Sequence, residues 1–83
     1  MIDIEARRRA DEQMERLKDI LDANNIDWEV RGEGTPVVEF RNATGMCRMF
    51  PSQTTDGKLV VLYSGKGIVD TAEEAARMCG VSA

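Results

Sequence analysis

Few residues in this chain are of a type and spacing that could do chemistry. Ser64-Gly65-Lys66-Gly67 places a lysine between two glycines, after an apolar run and before a helix. In a phosphate-binding loop, backbone N–H groups and such a lysine hold phosphate oxygens. Here the first glycine at the required spacing is missing. Gly67 stands where a Ser or Thr would hold Mg²⁺, and Ile68-Val69 come before any helix can begin. A loop that only turns the chain outweighs the phosphate reading, with Lys66 as an exposed contact residue. Asp27 and Glu29 fall on one face of a strand, roughly 7 Å apart, where paired carboxylates can do acid–base work. Beside Arg31 they read more simply as a solvated outer face. Cys47 and Cys79, 32 positions apart, do not by themselves form a zinc site. Arg48 points to the face opposite Cys47, so an activated thiolate is not indicated. There is no histidine, which removes Ser-His-Asp and Cys-His nucleophile systems and the usual histidine metal sites. The expectation is a non-enzyme without cofactor or metal.

The elements that position these residues come from 83 residues, enough for one domain with a thin core. The composition, 42% hydrophobic and 31% charged, is that of a folded chain. The net charge of −4 argues against free nucleic acid as a partner, because phosphate affinity needs clustered Lys and Arg. An acidic chain suits a partner with a basic surface. No apolar run approaches a membrane span, and the opening Met1-Ile2-Asp3-Ile4-Glu5 lacks signal-peptide features, so a cytoplasmic location with reduced thiols is expected.

Ala6, Ala10, Met14, Leu17 and Leu21 recur at helical spacing, which predicts an amphipathic helix over 3–24, capped by Asp3 and ended at Asn24-Asn25. Glu12 and Arg16 are an expected ion pair along it. Arg7-Arg8-Arg9 reads as a solvated face neutralised by nearby carboxylates. Ile26, Trp28 and Val30 alternate with charges, predicting a half-buried strand over 26–31 with Trp28 at the centre of the core. Further strands are expected over 36–41, with Val38 and Phe40 inward, and over 46–50, with Cys47 and Met49 on one face. The run Leu59–Tyr63 does not alternate, so a strand over 58–63 with both faces covered is expected after an Asp56-Gly57 turn. Asp70 with Glu73, or Thr71 with Glu74, caps a helix over 71–79, stopped by Gly80.

The sum is an α+β domain, α-β-β-β-β-α: an antiparallel four-stranded sheet packed by a long N-terminal and a short C-terminal helix. A simple meander leaves Leu59–Tyr63 at the sheet edge, covered by one helix on each side, or used by a second copy.

The charged opening helix, Ile26-Asp27-Trp28-Glu29-Val30 and Thr71-Ala72-Glu73-Glu74-Ala75 resemble small proteins encoded by prophages and other mobile elements. That resemblance covers about a third of the chain. It implies accessory roles, including inhibition of host defence nucleases as anti-CRISPR proteins do, and carries over no site residues. The reading that follows is a non-enzymatic, acidic protein-binding module whose contact face includes Asp11, Glu15, Asp22, Asp27, Glu29 and Glu39. Two alternatives stand beside it. One is a small enzyme or nucleotide binder using Gly65-Lys66-Gly67. The other is an accessory subunit that forms a homodimer through Leu59–Tyr63 or the first helix.

Overall fold

Among the described residues five strands run as an antiparallel meander in the order β1-β2-β3-β4-β5, and two helices lie on one face of that sheet. The structure is a computed structural model. It describes residues 4–32, 34–42, 45–52 and 57–82. The elements are α1 (Ile4–Ala23), β1 (Trp28–Arg31), β2 (Val37–Asn42), β3 (Gly45–Pro51), β4 (Leu59–Leu62), β5 (Lys66–Val69) and α2 (Ala72–Met78). The proposed Asp3 cap and the Asp56 turn position lie outside the described residues.

The α1 stripe forms as its spacing requires, with Ala6, Ala10, Met14, Leu17 and Leu21 all buried. The helix ends through Asn25, whose φ of 58° is the left-handed conformation that asparagine tolerates. Ile26 N–H then bonds back to the Leu21 carbonyl at 2.9 Å, closing the cap. At α2 the Thr71 box is the one that forms: the Thr71 hydroxyl accepts from Glu74 N–H at 3.2 Å. Asp70 instead faces Lys58. Gly80, at φ 75°, ends α2, and Val81 folds back into the core with its N–H on the Ala76 carbonyl.

Register sorts every strand residue to one of two faces. Trp28 pairs with Phe40, Phe40 with Cys47, Met49 with Val61 and Leu59 with Val69. These residues, with Val38, face the helices and build the core with α1 and the small-residue face of α2. Glu29, Glu39, Arg48, Phe50, Val60, Leu62 and Ile68 take the other face.

Four expectations are corrected. The sheet has five strands, because Lys66–Val69 pairs with β4 instead of looping to α2. Its glycine hid it. Met78 of α2 lies against Gly67, on the side where a Cβ would stand. Consequently β4 is an inner strand and not the edge, so edge pairing through Leu59–Tyr63 is closed. The two helices do not sandwich β4; they touch each other and share one face. Finally, Trp28 is only half-buried, at the rim of the core, and Val30 on the same side is 48% exposed. β1 is an edge strand that runs out from under α1.

Candidate functional site

The outer face of the sheet divides into a charged part and an apolar part. On β1–β3, Arg48 Nε donates to Glu39 at 2.9 Å and Arg31 Nε to the same carboxylate at 3.2 Å. Arg31 also holds Glu29 at 2.8 Å. Cross-strand register creates this network: Glu39 stands opposite both Arg48 and Glu29. The Arg48 hydrogen bond, aided by Arg31, holds the Glu39 carboxyl below the ordinary carboxylate value. Glu39 is therefore an ionised acceptor at neutral pH and unfit as a general acid. A shallow depression of about 580 Å³ lies beside this network, bordered by Asp27, Glu29, Arg31, Arg41 and Met46. It brings carboxylates and arginines together, Asp27, Glu29 and Glu39 with Arg31 and Arg41.

On β3–β5 the same face is apolar. Phe50 pairs with Val60 and Val60 with Ile68, one row across three strands. Val60 is 5% exposed although no helix covers it, because its strand neighbours flank it on both sides. This explains the unbroken apolar run of β4 without a second layer.

The Gly65-Lys66-Gly67 stretch belongs to the β4–β5 hairpin. Ser64 at φ 52° and Gly65 at φ 135° turn the chain, and Lys66 is the first residue of β5, opposite Leu62. A strand follows it, so the phosphate reading loses the helix N-terminus it requires. Cys47 and Cys79 are both buried and free, and they sit side by side in the core. Burial pushes the Cys47 thiol up, and burial with the neighbouring thiol pushes Cys79 up to about 12. These thiols are inert to attack from solvent, the opposite of an activated nucleophile. Among the described residues, no group of three or more His, Cys, Asp or Glu could hold a metal ion. Among the same residues, no helix is long and apolar enough to cross a membrane.

The acidic candidates do not form one surface. Glu29 and Glu39 lie on the outer sheet face, locked to arginines. Asp11, Glu15 and Asp22 lie on the solvent side of α1, which packs against the opposite sheet face. Asp27 is exposed in the link between α1 and β1. Two residues missed from the sequence complete the helical group. Glu12, Glu15, Asp19 and Asp22 follow each other at spacings of three and four, so they form one exposed ridge away from the buried stripe. That spacing is visible in the chain itself. In the structure Arg16 reaches across to Glu73 of α2, and Glu12 faces Arg8 at 4.0 Å.

The stretch from Asp11 to Asp27 carries an excess of negative charge, with Glu15 facing Lys18 at 3.1 Å. Residues 11–27 hold six carboxylates, Asp11, Glu12, Glu15, Asp19, Asp22 and Asp27, against Arg16 and Lys18, a net of −4. This equals the net charge of the whole chain, so the other residues are neutral as a set. The arginine run sits at the opposite end of α1, with Arg7 on Asp11 at 3.3 Å. At the ridge's far end Trp28 Nε1 donates to Asp22 at 2.8 Å, and Lys18 lies over the Trp28 ring. No protein-family model, curated protein or solved structure matches this chain.

Proposed function

We propose that this chain is a non-catalytic protein-binding module that presents the α1 ridge to a basic surface of its partner. The observation that carries this reading is the concentration of the chain's entire net charge on Asp11–Asp27. Such a ridge steers an oppositely charged surface and aligns it, with an effect that weakens as salt rises. The inner end supplies an aromatic anchor, since Trp28 keeps part of its ring at the surface beside Asp22. A basic surface that otherwise meets nucleic acid is the natural match. Occluding one is the action expected of an inhibitor of a host defence complex, the role implied by the resemblance to mobile-element proteins. The protein acts in the cytoplasm in this reading.

The test compares two sets of variants in affinity capture from native host lysate at low salt. One set is Glu12→Gln, Glu15→Gln, Asp19→Asn and Asp22→Asn together. The other is Glu29→Gln with Glu39→Gln. A stoichiometric basic partner should be retained by the unchanged protein and the sheet set, and lost by the ridge set or on raising salt. Retention by the ridge set would refute the ridge, and a protein that captures no partner at low salt would refute the module.

A further inference from the structure

We propose that the free edge of β5 pairs with the β5 edge of a second copy, joining two five-stranded sheets about a two-fold axis at Ile68. The alternation of the ladder shows which backbone groups are available. Ser52 N–H bonds to the Lys58 carbonyl at 2.8 Å, so Lys58, Val60 and Leu62 direct their peptide groups toward β3. Leu59 and Val61 therefore serve β5, where their register partners are Val69 and Gly67. Lys66 and Ile68 are left with N–H and C=O aimed out of the sheet. An edge of this kind is a template for strand addition.

The side chains select a second copy as the occupant. Antiparallel pairing centred on Ile68 places Ile68 against Ile68 of the other copy, Gly67 against Val69, and Lys66 against Asp70. Lys66, Ile68 and Asp70 share the outer face, so each copy sets its lysine opposite the other's aspartate, twice by symmetry. Lys66 has no ion pair among the described residues, and Asp70 is exposed with only a 3.7 Å contact to Lys58. Ile68 is 55% exposed on one side of the edge and Met78 43% exposed on the other, so apolar groups flank the seam on both sides. The pairing extends the apolar row of Phe50, Val60 and Ile68 across the axis. It shares no residue with the α1 ridge and stands or falls independently of it. A seam of four or five residues is small beside the roughly 800 Å² per partner of a stable complex, so the dimer is a weak one.

Sedimentation equilibrium over a wide concentration range tests this. The unchanged protein should show a monomer–dimer equilibrium. Lys66→Glu, which sets like charges opposite at both symmetric positions, should weaken it about tenfold. Adding Asp70→Lys to Lys66→Glu should restore it. Ile68→Pro removes an edge-facing N–H while sparing the β4 ladder, and should leave only monomer with an unchanged far-ultraviolet spectrum. A protein monomeric at every concentration overturns the proposal. So do higher oligomers, which would signal head-to-tail pairing of β5 with β1, and so does a dimer indifferent to the charge reversals. Should Ile68→Pro not fold, the reversal and its rescue decide alone.

Discussion

The two faces of the sheet are made by the same strands, residue by alternate residue, and they solve different problems. Toward the helices, Val38, Phe40, Cys47, Met49, Leu59 and Val61 meet α1 and α2 and form one closed cluster. Toward the outside, half the surface is a lattice of arginine and glutamate and half is an apolar row over which no element of the described residues packs. Val60 and Val61 show the difference most sharply. Both are almost fully buried, at 5% and 0% exposure, yet only Val61 belongs to the core cluster. Val60 lies on the outer face, flanked by Phe50 and Ile68 of the neighbouring strands, and Val61 on the face toward the helices. Low exposure alone therefore does not mark a core position in so small a domain.

Substitutions on the two faces can break this comparison. The largest expected effect is Leu17→Ala, which empties the space between α1 and the sheet and should cost about 2–5 kcal/mol in denaturant unfolding. Equal loss from Val61→Ala and Val60→Ala would refute the contrast; the expected order is a clearly greater loss for Val61→Ala. Gly57→Ala probes the inner face from its end. At φ 71°, a Cβ there would stand 2.9 Å from the Ala6 carbonyl oxygen, so a loss of about 1–3 kcal/mol is expected.

The pH dependence separates the faces as well. In the core, the folded state keeps Cys47 and Cys79 protonated while the unfolded chain releases their protons near pH 9. Stability should therefore fall as pH rises above about 9, and Cys79→Ala should flatten that fall. Thiol reagents should label neither cysteine until the protein unfolds. On the outer face the sign reverses. The lowered Glu39 carboxyl contributes stability above its ordinary value of 4.5, lost as pH drops below it. That effect is the smallest, because Arg48 is 53% exposed and its ion pair is screened by water. Arg48→Met should change stability only slightly and flatten the acid-side slope, part of which Arg31 maintains.

The helices were legible because their signals are local. The α1 stripe needs only a period of 3.6, and Thr71-Glu74 and Gly80-Val81 carry the geometry of their caps in adjacent residues. β2 and β3 were legible from alternation: Val38 and Phe40 face inward as expected, and Cys47 and Met49 share a face, which only the sheet pairing shows to be the inner one. β5 was hidden because a four-residue strand starting Lys66-Gly67 carries turn residues, and what makes it a strand is its pairing with β4. Trp28 was misplaced because alternation gives the face but not the distance from the end of the helix that covers it. Of the candidate site, the acidic residues could be named but not grouped. Glu39 is held by Arg31 and Arg48, which pairing register brings beside it, whereas Glu15 faces Lys18 one turn along its own helix.

The chain by itself determined the helices, most of the strands, their inward residues and the concentration of charge between Asp11 and Asp27. Each of these depends on residues a few positions apart. Tertiary structure decided what depends on distant residues: that both helices share one face, that β4 is flanked by β5, and that Glu39 is held by arginines from two neighbouring strands. Strand pairing and layer packing are set by the summed fit of many weak contacts between remote segments, and no local pattern records that sum.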